Sequence, residues 1–389
     1  MSASTEKKLR AAAREAGTDK KTLQLQEEAK KQAKTRKRYI IAITAAVLFV
    51  ALVLFFGSSL PYKTTTAITV NDTKFTPAEA NYAYGTQYNN FVNNMGAYAS
   101  YFGLDTSKGL QGLGSQVCAL SEDGGSWRDY FKEQSISYFK QTVALCDNAK
   151  ERGIELDQSD YDNIEASFAG IDDYAALYGL KDGDSLLSYN YGKGVNKEVA
   201  SKMMSYDVLA SKALAQYCQE LAANDTEFED YNMVNVRHIL IKAVADENGE
   251  YTDEAKAEAK AKAEEILAEY EAGDKTEDSF AALAEQYSED AGSNTNGGLY
   301  ENIYKGQMVP EFDAFCFAGH EAGDTGIVYG DNGGYAGYHV IYFSGEGGLY
   351  SESSMRQAEL VEQAQPWVDG LVENVTVNKS AFFNMFVGK

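Results

Sequence analysis

At 389 residues the chain is long enough for two hydrophobic cores, and its formal charge of -23 gives it no overall basic field for nucleic acid or anionic lipid. The charge is divided unevenly: residues 1–38 carry 12 Lys/Arg against 5 Asp/Glu, a net of +7, and the segment after residue 60 holds 23 basic and 53 acidic side chains, a net of -30. Four widely spaced cysteines, Cys118, Cys146, Cys218 and Cys316, show no CxxC or metal-type spacing and leave disulfides and buried thiols equally open.

Residues 1–38 are rich in Lys, Ala, Glu and Gln and read as a solvated, basic cytoplasmic tail. The run "YIIAITAAVLFVALVLFF" at 39–56 follows, with no charge and no proline, close to the ~20 apolar residues a membrane-crossing helix needs. The basic stretch "KKQAKTRKR" before it predicts, by the positive-inside rule, a signal anchor over 39–58 with a cytoplasmic N-terminus and an exported acidic remainder. The long polar leader and the lack of an A-x-A-like site in "GSSLPYK" speak against a cleaved signal peptide. No cysteine directly follows the span to carry a lipid.

Beyond the anchor, "TTTAITVND" predicts a short strand ending in an Asn-Asp turn. "FTPAEANYAYGTQYNNFV" opens a helix with Thr76 as N-cap, Pro77 at the first position and Glu79 completing a capping box. The pattern stays helical to about Leu221; in "WRDYFKEQSISYFKQTVALCDNAKERG" it places Trp127, Phe131, Tyr138 and Leu145 on one face. These stripes read as core. The number of aromatics also fits a surface for unfolded chains.

A second pattern begins near Met233. "VNVRHILIK" is a strand, "TDEAKAEAKAKAEEILAEYEAG" a helix from its Thr252 cap to the Gly273 stop, and "DSFAALAEQYS" a helix with Phe280, Leu283, Ala284 and Tyr287 on one face. The glycine-rich turn "GSNTNGGLY" leads to the short helix of "GQMVPEFDAFCFAG", and "DTGIVYG" and "GYHVIYF" close as strands. The expected domains are a mostly helical one over 61–232, completed by 346–389, and an α+β one over 233–345 whose small antiparallel sheet is surrounded by helices.

The chain has three histidines, and two of them, His238 and His339, interrupt the first and last strands of the α+β segment. A lone strand histidine is ordinarily a satisfied core residue. If those strands pair, side chains directly opposite have Cβ atoms only ~4.5–5.5 Å apart, and two imidazoles can then hydrogen-bond to each other. His320, in "FAGHEAGD", follows a helix and is expected to face solvent. The acidic "YSEDAG" and "KTEDSF" lack the EF-hand pattern, so no metal or other cofactor is expected.

The pieces "RHILIK", "FAALAEQYSED", "GSNTNGGL", "GQMVPEFDAFCF" and "GYHVIYF" resemble, in order and spacing, the parvulin-type peptidyl-prolyl cis/trans isomerases. The layout of the rest resembles membrane-anchored extracytoplasmic foldases of the PrsA/SurA type, in which a helical chaperone domain carries the parvulin insert. The resemblance implies that His238 and His339 are the paired catalytic histidines and Asp290 the acidic residue facing the substrate amide. Met308 and Phe312 would grip the proline ring, with Gln307 beside them and Leu299 or Tyr300 completing the wall. The implied partners are unfolded exported proteins with X-Pro bonds and the membrane, not nucleic acid. Two positions depart from the family's "T-x-[YF]-G-Y-H": the threonine position is Gly334 and the aromatic position is Ala336. An arginine cluster for phosphate is missing, and "AVADENGE" after Lys242 would repel a phosphorylated substrate. A rival reading is a holdase whose parvulin domain grips proline segments without accelerating their rotation.

Overall fold

The structure, a computed structural model, describes residues 2–121 and 123–389. It divides into two compact units, Met1–Ala213 with Val368–Lys389, and Leu214–Trp367. Among the described residues seven strands form two antiparallel sheets: β1 (Ile68–Val70), β2 (Thr73–Phe75), β3 (Asn232–Lys242), β4 (Leu299–Ile303), β5 (Thr325–Asp331), β6 (Ala336–Leu349) and β7 (Val377–Lys379).

In the first unit the apolar run 39–56 lies wholly within helix Lys20–Gly57, which starts at Asp19, whose carboxylate accepts from the backbone N–H groups of Lys21 and Thr22. Among the described residues this stretch alone is long and apolar enough to cross a membrane. The small sheet runs β2-β1-β7. The turn between β1 and β2 holds Asn71 at a φ of 50°, a left-handed conformation that Asn tolerates better than most residues. β7 pairs with β1, Val377 opposite Val70, so the segment after 368 closes the same sheet that the segment after residue 60 begins.

Helix Pro77–Met95 carries the reciprocal capping box between Thr76 and Glu79. It packs beside helix Trp127–Glu151, and Tyr84, Tyr88, Phe91, Trp127, Tyr130 and Phe131 meet there in edge-on and tilted ring contacts. Aromatic rings prefer such edge-to-face packing, and these belong to the large core of the helical unit. Within it, the Tyr138 hydroxyl donates to Asp207 at 2.5 Å, and burial pushes the Asp207 carboxyl up to about 6. All four cysteines are buried free thiols.

The second unit is wider than the 233–345 pattern, since it also holds the end of helix Lys197–Asn224 and most of helix Ser354–Glu373. There Cys218, Leu360 and Ala364 form a small core, and Arg356 is paired with Asp225 at 2.6 Å. The sheet runs β4-β3-β6-β5. β4 is a correction: the glycines of "GSNTNGGLY" read as a turn, whereas the turn ends at Gly298 and the next five residues pair with β3. Side chains alternate across the sheet. Ile239, Ile241, Val340 and Tyr342 face helices Asp253–Ala272 and Glu277–Tyr287, where they pack on Ala263, Ile266, Phe280 and Ala284. Val236, Ile341 and Phe343 face the other way and pack on Phe312 and Cys316 of the short helix Pro310–Cys316.

Candidate active site

β3 and β6 lie side by side, and their register places His238 opposite Ile341 and His339 opposite Leu240. The two histidines therefore meet diagonally rather than directly across, two residues out of the register expected from the sequence. Diagonal neighbours stay within reach of ring side chains. The imidazoles lie near-parallel with centroids 5.3 Å apart, and the two Nδ1 atoms approach to 3.0 Å. Both residues are only 4 % exposed.

Asp290 arrives from the loop after helix Glu277–Tyr287. That loop is held against β3: the backbone N–H of Leu240 donates to the Ser288 hydroxyl, the N–H of Glu289 to the Leu240 carbonyl, and the N–H of His238 to the Gly298 carbonyl. Gly298 sits at a φ of +73°, and a Cβ there would lie 2.3 Å from the His238 carbonyl oxygen, so only glycine permits the approach. One Asp290 carboxylate oxygen, Oδ2, lies 3.0 Å from His238 Nε2 and accepts from the hydroxyls of Ser293 at 2.5 Å and Tyr300 at 3.0 Å. Its other oxygen accepts from the Gly292 N–H at 3.3 Å.

This donor set fixes the charges. The hydrogen bond from His238, with those from Ser293 and Gly292, holds the Asp290 carboxyl well below its ordinary value although burial opposes it. Burial, with His238 beside it, lowers His339 to about 3. At neutral pH the site holds one carboxylate and a neutral His339.

Above the histidines lies Phe312, 2 % exposed, with its ring edge-on to His238 at 5.4 Å and to His339 at 5.2 Å. Met308, Val309 and Val328 pack around it half-buried and give the site an apolar rim. Tyr300 is on the same sheet face, opposite Val236, with its ring 5.3 Å from His238. Leu299 is opposite Arg237 and so faces the helices. Gln307 is exposed, and its side-chain oxygen accepts from the Tyr304 N–H at 3.1 Å, closing the loop rather than reaching the histidines. The structure thus brings together His238, His339, Asp290, Tyr300, Phe312 and Met308 and leaves Leu299 and Gln307 outside. His320, expected in solvent, is half-buried, stacked on Phe315 at 4.1 Å and 3.2 Å from Asp324, because the chain after Gly319 folds back over the short helix.

Three further residues of the site carry no signal in the sequence. Ser293 lies in a stretch that reads only as a glycine-rich turn. Gly330 lies beside His339, and a Cβ there would sit 2.6 Å from its Nε2. Tyr335, in the turn between β5 and β6, places its hydroxyl 2.9 Å from the same nitrogen. Of the two departures from the parvulin pattern, Gly334 lies in that exposed turn and Ala336 is fully buried at the start of β6.

Residues 221–346 match the family described as the PPIC-type PPIase domain. The foldase protein PrsA of Caldanaerobacter subterraneus subsp. tengcongensis is 32% identical over 168 residues, which is 40% of this chain and 46% of that protein. The PrsA of Geobacillus sp. is 27% identical over 260 residues, 64% of this chain and 77% of that one. A crystal structure of PrsA from Streptococcus pneumoniae aligns over 69% of this chain and 98% of its own at 18% identity, with a TM-score of 0.31. The chain spans about half the length of the first of these relatives. Residues 221–346 are thus similar to the PPIC-type PPIase domain, and the chain is similar over part of its length to the PrsA foldases.

Proposed function

We propose that the chain is a peptidyl-prolyl cis/trans isomerase and folding factor for exported proteins. Rotation about an X-Pro bond faces a barrier of ~20 kcal/mol and takes ~10–100 s unaided, but no covalent bond has to break. A catalyst has to hold the proline ring, remove water from the amide and favour the twisted state in which resonance is lost. Phe312, Met308, Val309 and Val328 supply the apolar grip, with Tyr300 beside them. His238 and His339 act on the amide by holding Asp290 ionised and in place, not as nucleophiles. The observation that carries this reading is the hydrogen-bonded run from His339 through His238 to Asp290 directly beneath Phe312.

The apolar run 39–58, most of it within helix Lys20–Gly57, is read as the membrane anchor, with the basic tail 1–38 in the cytoplasm and residues 61–389 outside, where exported chains emerge unfolded. Exposed Tyr98, Tyr101, Tyr174, Leu177, Tyr178 and Tyr189 in the helical unit support contact with such clients. The same surface, together with the absence of a threonine or aromatic at Gly334 and Ala336, favours the second reading, a holdase with a slow or silent parvulin site. A peptide exchange measurement on the full chain separates the two, because only an isomerase raises the cis/trans interconversion rate. His238→Ala or His339→Ala proteins that fold and keep the full rate would remove the histidines from the mechanism.

A further inference from the structure

The nitrogens of the site form a chain whose direction can be worked out from one end. Asp290 is ionised and can only accept, so His238 presents Nε2–H to it. If His238 carries that proton alone, its Nδ1 is bare. The Nδ1 of His339, 3.0 Å away, must be the protonated one, since two facing lone pairs at that distance repel. This leaves His339 Nε2 bare, and a donor is required there. The donor present is the Tyr335 hydroxyl, at 2.9 Å.

We propose that Tyr335 is the positioning residue that sets this direction: its hydroxyl holds His339 in the Nδ1–H form and so commits every proton in the chain toward Asp290. The assignment rests on the isomerase reading only for its effect on rate. Tyr335 is placed for the role by the turn it ends. The Asn332 side-chain oxygen accepts from the N–H groups of Gly334 at 3.0 Å and Tyr335 at 3.2 Å, and Asp331 accepts from Gly333 at 3.0 Å. Glycine at 330, beneath His339 Nε2, leaves open the space that the hydroxyl and the ring share. The resemblance to parvulins puts a hydroxyl-bearing residue at position 334, where this chain has glycine. Here the neighbouring residue, reaching from the turn, supplies the hydroxyl instead. A donor to the bare nitrogen also opposes its protonation and helps keep His339 neutral.

The test uses the full chain in detergent micelles with 15N-labelled histidine, where only three residues contribute ring signals. The expected wild-type spectrum has His238 protonated on Nε2 and His339 on Nδ1, opposite tautomers in one pair. Tyr335→Phe removes one oxygen and keeps the ring; it is expected to mix the His339 tautomers, leave the His320 signals in place as a check on folding, and lower kcat by about tenfold with KM little changed. A wild-type His339 protonated on Nε2 overturns the proposal, and so does a Tyr335→Phe spectrum with both site histidines unmoved. If that variant does not fold, the wild-type tautomers decide alone. Wild-type chain that shows the two opposite tautomers, lost in Tyr335→Phe, but no exchange activity would defeat the isomerase reading and leave this assignment standing.

Discussion

Asp207 and Asp290 are both drawn away from water, one in each unit, and they respond in opposite ways. Asp207 has the Tyr138 hydroxyl as its donor, and burial dominates, raising its carboxyl to about 6. Asp290 is met by His238, Ser293, Tyr300 and a backbone N–H, and its carboxyl is held low. One neutral donor does not offset the desolvation of a carboxylate, whereas a convergent set does. The helical unit is held by aromatic packing and tolerates a strained carboxylate within it. The sheet unit spends buried polar groups on one point, the pattern expected of a functional site.

The largest expected effect tests whether the two units stand on separate cores. Phe131→Ala removes a fully buried ring from the aromatic cluster and is expected to cost the helical unit about 3–5 kcal/mol, with the histidine signals of the sheet unit unmoved. Calorimetry reads this directly; an equal drop in the sheet unit's transition would break the comparison. Next comes Gly330→Val, which drives a side chain into His339. The expected cost is about 1–3 kcal/mol, with isomerase activity reduced far more than stability.

The pH dependence sharpens the contrast. A carboxyl at about 6 when folded and near its ordinary value when unfolded loses stability as pH rises through that window, so Asp207→Asn is expected to stabilise the helical unit by on the order of 2 kcal/mol at pH 7.5 and by almost nothing at pH 4. His339, lowered to about 3, has the opposite sign: its contribution is intact above the ordinary histidine value and is lost as pH falls through the window below it. Acidification from pH 7 to 4.5 therefore relieves one unit and weakens the other at these two groups; unfolding followed at both pH values, with parallel slopes as the contrary result, checks it. The smallest effect belongs to Leu299→Ala, on the helix-facing side of β4, which is expected to leave the exchange rate within about twofold, against a clear loss in Tyr300→Phe.

Much of this was legible in the sequence because its signals are local. Capping residues such as Thr76 and Thr252, the apolar run before Gly57 and the histidine-bearing strands each declare themselves within a few residues. What stayed hidden depends on register and on turns. The diagonal meeting of His238 and His339, and the choice between Leu299 and Tyr300, depend on how strands align, and a one-residue slip reverses every face. Tyr335 and Ser293 matter through contacts made by loops whose composition reads only as glycine-rich turn. A tyrosine four residues before a histidine carries no signal until the turn between them is known.

The most direct test of the account is the rate of cis/trans exchange in a short proline peptide, measured with the full chain and with its Asp290→Ala variant. Acceleration by the wild-type protein that is largely lost in the variant is the predicted result. A variant that folds, keeps its two histidines in contact and still turns the peptide at the wild-type rate would contradict it.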